Sequence, residues 1–263
     1  MLKAALNGSR EMGAHPALPV SAGELADAAA ACVAAGAGAI HLHPRDAHGH
    51  ETVDPVVINA AVRQVRAVVR VPVGVSTGAW IEPDPGRRAA AVADWTEPDM
   101  ASVNLSEDGA ASVMAALLEQ GIGVEAGVWS AEDAYRLAET GLQDRLVRVL
   151  VEVISPPGDP EAEARAIDEA LDRIGVTAPR LHHGEDAATW PVLRQAQRLG
   201  RDIRIGLEDT LTFPDGSVAP SNEALVRFAL RPHRHRLPGT AVGAQGRLPR
   251  PRRVRPGPGC DLT

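Results

Sequence analysis

SAGELADAAAACVAAGAGAIHLH, residues 21–43, contains a helix pattern and the β-like run that follows it, and this rhythm recurs along the chain. Ser21 and Glu24 have capping-box spacing ahead of an Ala- and Leu-rich run, and Gly36 stands where a helix stops. AIHLH (39–43) then has the length and character of a short buried strand. Moving outward, KAALN (3–7) comes before the helix, and VPVGVST (71–77), MASVNL (100–105), IGVEAGV (122–128), RVLVEVI (148–154), PRLHHG (179–184) and IRIGLED (203–209) follow. Each of the eight runs leads into a helix candidate, the later ones at 58–69, 86–94, 110–119, 131–140, 160–174, 187–198 and 221–230. Eight strand–helix pairs predict a closed (β/α)8 barrel over residues 1–230. An open doubly wound sheet is the alternative, because periodicity does not show closure.

The bulk composition agrees with one folded domain. Of 263 residues, 44% are hydrophobic and 23% charged, enough to bury a core. No apolar run reaches the length of a membrane span, and MLKAALNGSR lacks a secretory core, so the expected location is the cytoplasm, with no membrane partner. Cys32 and Cys260 are too few and too far apart for a disulfide framework. The net charge of -7 is uneven: residues 231–263 hold eight Arg and one Asp, which leaves -14 on the first 230 residues. That segment, rich in Pro and Gly, is read as a basic irregular tail. It has no aromatic residues interleaved for base stacking, so nucleic acid is not an expected partner.

Barrel enzymes carry their chemistry at the C-terminal ends of the strands. Here those ends supply Asn7, Ser9, Arg10, His41, His43, Ser76, Thr77, Asn104, Ser106, Glu125, Glu152, His182, His183, Glu185, Glu208 and Asp209. Alternate residues of a strand share a face, so His41 and His43 project together, as two ligands of a divalent ion or as hydrogen-bonded core histidines. Zinc favours nitrogen ligands and, in catalytic sites, takes three protein ligands with one open position. Glu208 supplies a carboxylate from the far side of the first strand. Arg204 and Asp209 form either a proton-transfer pair or a structural ion pair. Ser76 and Thr77, with Gly78, suit a substrate carboxylate or simply make a turn. Dinucleotide, Walker, nucleophile-elbow and C-x-x-C patterns are absent.

The blocks NGSREMGAHPALPVSAGEL, GAGAIHLHPRDAHGH, VPVGVSTG, DMASVNL, GIGVEAGVW, HHGED and RIGLEDT together resemble the β-keto acid cleavage enzyme family, whose first characterised type is the 3-keto-5-aminohexanoate cleavage enzyme. The resemblance spans residues 3–230. It implies a zinc-dependent reaction in which a β-keto acid and acetyl-CoA give acetoacetate and a new acyl-CoA. His41, His43 and Glu208 match the metal ligands. Asp209, paired with Arg204, matches the group that deprotonates the keto acid, and Ser76 matches a carboxylate-binding residue. Thr77, Arg10, Asn104 and Glu125 complete the expected substrate-binding set, while His183, Glu185 and Trp129 either line the pocket or hold loops. Arg10 stands where the aminohexanoate-cleaving type has a Glu, which favours an anionic or neutral distal group, a β-keto dicarboxylate being one such substrate. The resemblance also implies a homo-oligomer, a tetramer. The competing readings are a zinc-dependent aldolase or hydrolase acting without CoA, and a non-catalytic metal-binding family member.

Overall fold

A computed structural model describes residues 1–154 and 158–231. Eight parallel strands alternate with eight helices: β1 (Leu2–Ala5), α1 (Ala22–Ala34), β2 (Ala39–Leu42), α2 (Pro55–Val68), β3 (Val73–Ser76), α3 (Pro85–Val92), β4 (Met100–Asn104), α4 (Ala110–Glu119), β5 (Gly123–Val128), α5 (Ala131–Thr140), β6 (Arg148–Val153), α6 (Pro160–Arg173), β7 (Arg180–Gly184), α7 (Thr189–Arg198), β8 (Asp202–Ile205) and α8 (Asn222–Ala229). The strands pair in chain order and β8 closes on β1, with Lys3 in register with both Ala39 and Arg204. This is the (β/α)8 barrel, and the open sheet is excluded. Residues Met1–Arg231 form one compact unit. Apart from Arg231, the tail expected over 231–263 lies outside the described residues.

Local chemistry accounts for the element ends. Ser21 and Glu24 make the expected capping box, the Ser21 side chain accepting from the Glu24 amide and the Glu24 carboxylate from the Ser21 amide. Asp54, Asp84 and Asp159 cap α2, α3 and α6, each ahead of a Pro in the first turn, where its missing N–H costs nothing. The apolar faces of the helices, such as Leu25, Ala29 and Cys32 of α1 and Ile58, Val62 and Val65 of α2, pack on the outer faces of the strands. Burial pushes the Cys32 thiol up to about 12, so it serves as a packing residue.

The inner face is unusually polar. Lys3 on β1 donates to Glu125 on β5 at 2.7 Å, and both side chains are fully buried. The first and fifth strands of an eight-stranded ring lie opposite one another, so this pair spans the barrel interior. Arg148 on β6 donates to the other Glu125 oxygen at 2.9 Å and approaches Asp202 at 3.6 Å. Glu125 is therefore not the substrate ligand expected from its place in IGVEAGV. It is the third of six strand residues, and its carboxylate is held by buried Lys3 and partly buried Arg148 below the mouth.

The last strand also differs from expectation. IRIGLED does not run extended to residue 209: β8 ends at Ile205, and Asp209 and Thr210 both donate backbone hydrogen bonds to the Gly206 carbonyl at 3.0 Å. Gly206 permits this because a Cβ there would lie 1.8 Å from the Ala5 carbonyl oxygen. Asn222 locks the turn, accepting from the Leu207 amide at 2.7 Å and donating to the Leu6 carbonyl at 2.8 Å. Glu208 and Asp209 thus sit on a tight turn pressed against β1.

Candidate functional site

The β1 end and the β8 turn together present the histidines. The Asn7 side chain donates to the His43 carbonyl at 2.8 Å and accepts from the His43 amide at 2.9 Å, which fixes the chain just beyond β2. Gly8 follows with φ +57°, and a Cβ there would lie 2.4 Å from Glu208 Cγ. A left-handed conformation and a close approach both require glycine at that position. The NGS segment is therefore a scaffold that seats one histidine and makes room for the carboxylate.

His41 Nε2 and His43 Nε2 face each other at 3.0 Å, and Glu208 Oε1 lies 3.7 and 3.5 Å from them. One ligand atom from each of the three falls within 4.8 Å of the others. Two converging imidazole nitrogens and a carboxylate, with Glu208 Oε2 and His41 Nδ1 buried and unpartnered, fit a divalent cation that takes nitrogen and oxygen ligands and keeps a position open. Burial holds the His41 ring well below its ordinary value, against the pull of Glu208. Burial acts the same way on His43, but Glu208 and Glu51 outweigh it and raise His43 to about 9. Burial also favours neutral Glu208, yet Arg204 and the two histidines hold it ionised, well below the carboxylate range.

Beside this triad, Arg204 donates to Asp209 Oδ1 through Nη2 at 2.6 Å and Nε at 3.0 Å, and its Nη2 lies 2.8 Å from Glu208 Oε1. Asp209 is 1% exposed, and its Oδ2 has no hydrogen-bond partner. Arg204 stays charged: burial opposes this, and Asp209, Glu208 and Glu152 together prevail. One carboxylate oxygen is locked and the other is left as a lone acceptor, which is the arrangement a general base needs. His183, fully buried, approaches Asp209 at 3.5 Å and Glu152 at 3.6 Å.

His41, His43, Arg204, Glu208 and Asp209 line a cavity of about 210 Å3, together with Ser9, Arg10, Ser76, Trp80, Ser102, Asn104, Trp129, Glu152, Ile154 and Glu185, while His183 lies behind its wall. Of the expected substrate-binding residues, Arg10, Ser76 and Asn104 are therefore at the wall, whereas Glu125 and Thr77 are not. The Thr77 hydroxyl donates to the Ser102 carbonyl at 2.8 Å and serves the strand framework. Arg10 is not a free cation, since its Nη2 meets Asp186 Oδ1 at 2.5 Å and its Nε donates to the Glu208 carbonyl. Sequence reasoning missed Glu51 and Trp80. Glu51 Oε1 lies 2.5 Å from His43 Nδ1, and the Trp80 indole donates to Glu51 Oε2 at 3.2 Å and stacks on the His43 ring. A signal was available: Asp46 caps the amides of His48 and His50, Gly49 has φ +84°, and this DAHGH turn brings Glu51 back beside Arg45.

The barrel is similar to several solved structures. Apo ObcA aligns at TM-score 0.64 and 17% identity, covering 81% of this chain and 61% of that one. ObcA bound to oxaloacetate aligns at 0.63 and 17%, covering 81% and 63%. A type I 3-dehydroquinate dehydratase from Clostridium difficile aligns at 0.56 and 11%, covering 86% and 90%. At these identities the likeness is one of fold, and the chain spans about 61–63% of the length of the ObcA structures. The sequence itself is more specific, because residues 1–236 match the model of the beta-keto acid cleavage enzymes, through the segment that seats His41, His43, Arg204, Glu208 and Asp209. The chain belongs to the beta-keto acid cleavage enzyme family.

Proposed function

We propose that this chain condenses a β-keto acid with acetyl-CoA and cleaves the product to acetoacetate and a new acyl-CoA, with zinc held by His41, His43 and Glu208. The observation that carries this reading is a base with one free oxygen, Asp209, fixed by Arg204 beside a three-ligand cation site at the barrel mouth. A bound cation would polarise the keto oxygen and so stabilise the enolate. Asp209 Oδ2 takes the proton from the carbon between the keto and carboxylate groups. Ser76, whose hydroxyl accepts from the Gly78 amide at 3.2 Å, has its own hydrogen to offer a substrate carboxylate. Asn104, held by Glu107 at 2.8 Å, lines the same wall. The resulting carbanion attacks the thioester carbonyl and CoA leaves as its thiolate. The thiolate then attacks the original keto carbonyl, the bond from that carbon to the central carbon breaks to leave the acyl group on CoA, and the acetoacetate carbanion so released takes back the proton from Asp209. ObcA has been solved with oxaloacetate, and with a C4-CoA adduct and oxalate, so a keto acid and a CoA thioester are compatible with this fold. A tetramer is proposed on the family resemblance alone.

The test is a panel of β-keto acids with acetyl-CoA and zinc, scored for acetoacetate. Release that requires acetyl-CoA and is lost in Asp209→Asn supports the reading. Turnover without acetyl-CoA would instead point to an aldolase or hydrolase, and turnover unaffected by Asp209→Asn would remove the assigned base.

A further inference from the structure

The cavity wall carries more carboxylates than free cations. Of the guanidinium groups that line it, Arg204 is held by Asp209 and Glu208, and Arg10 by Asp186. Glu185 and Glu152 line the same cavity; the Trp129 indole donates to Glu152 at 2.9 Å, and Glu185 makes no ion pair among the described residues.

Asp186 is unusual in its backbone. It is the non-glycine residue with positive φ among the described residues, at +45°, at the start of the 3₁₀ turn Asp186–Ala188. Asp tolerates that region better than most residues, and such conformations persist only where the surroundings hold them. Here its amide donates to the Asp209 carbonyl at 2.6 Å, and Thr189 donates its hydroxyl to that same carbonyl at 3.0 Å. The Asp186 carboxylate is thus carried on a segment locked to the turn that bears the base, and it is aimed at Arg10.

We propose that Asp186 is a specificity-determining residue: by occupying Arg10 it leaves the pocket without an uncompensated cation, so the keto acid handled here carries no negative charge at its distal end. This rests on the function proposed above for the same site. Of the two distal groups that Arg10 alone admits, anionic or neutral, it removes the anionic one. A second substrate carboxylate would meet Glu185 and Glu152 and find Arg10 already neutralised, whereas an uncharged chain meets Trp80, Trp129 and Ile154. Asp186 is 62% exposed, so its pairing with Arg10 is screened by water, and the like charges of Glu185 and Glu152 add the repulsion by which a binding site can reject a wrong ligand.

The experiment is calorimetric titration of the zinc-loaded protein with 3-oxohexanoate and 3-oxoadipate, acids of equal length that differ in the charge of the far end. The expected result is binding of 3-oxohexanoate at least about tenfold tighter. Asp186→Asn and Asp186→Gly, both able to adopt positive φ, should each raise relative affinity for 3-oxoadipate by about tenfold or more, and adding Arg10→Gln should cancel that gain. Equal or tighter binding of 3-oxoadipate by the unaltered protein, or a preference unmoved by either substitution, overturns the inference. Binding of neither acid counts against it and against the proposed function together. Selective binding without acetoacetate release sinks the function and leaves the selectivity standing.

Discussion

Below the pocket, Lys3 and Glu125 meet across the barrel at 2.7 Å, and Arg148 and Asp202 extend the network. At the mouth, His41, His43 and Asp209 are comparably enclosed and Glu208 is partly so, yet His41 Nδ1, Glu208 Oε2 and Asp209 Oδ2 have no hydrogen-bond partner. Both layers bury charge in a narrow ring of strands. In the lower layer the Glu125 carboxylate is held on both oxygens, so its contribution is structural. In the upper layer a positive group and a proton are still wanted, so that layer is free to act.

The sharpest way to break this contrast is to exchange the consequences of carboxylate loss in the two layers. Asp209→Asn should lower kcat by about 10²- to 10⁴-fold while costing less stability than the lower-layer change, because the Asn oxygen still accepts from Arg204 and Glu208 still meets that guanidinium. Glu125→Gln should do the reverse, destabilising the fold by about 3–5 kcal/mol because Lys3 is left buried without its anion. Urea titration with an activity assay at low denaturant checks both, and a Glu125→Gln protein of full stability would mean that the lower network is not structural.

Smaller effects test how the mouth is held. Glu51→Gln removes the carboxylate on His43 Nδ1 and should weaken zinc binding by about 10- to 100-fold, read by competition with a chromophoric chelator. The direction of the pH effect differs between the metal-free and metal-bound proteins. His43 is raised from 6.5 to about 9, so in metal-free protein its stabilising contribution is complete below pH 6.5 and is lost as pH rises through about 9. Zinc requires the unprotonated ring, so zinc affinity should climb through that same interval. Thermal melts with and without zinc between pH 6 and 9 should therefore diverge, and parallel curves would contradict the assigned ligand.

Much of this was legible in the chain itself. The eight units could be counted because buried parallel strands are short apolar runs and their helices carry Ser or Asp caps, as at Ser21, Asp54 and Asp159. The two-residue spacing of His41 and His43 placed both rings on one face because strand alternation is a local property. The fate of Glu125 was not legible: a carboxylate within a strand looks the same whether it faces a substrate or Lys3, and Lys3 is 122 residues away. The same holds for Thr77, whose hydroxyl goes to Ser102, and for Arg10, whose charge is met by Asp186 across a separation of 176 residues.

By itself the sequence determined the eight strand–helix units, their caps and turns, and the identity of the residues able to bind a cation or take a proton, because each depends on neighbours within a few positions. Only the tertiary structure decided which of those charges are already neutralised. That depends on which strands ring closure sets opposite one another and on where the Gly8 and Gly206 backbones allow Glu208 to come in.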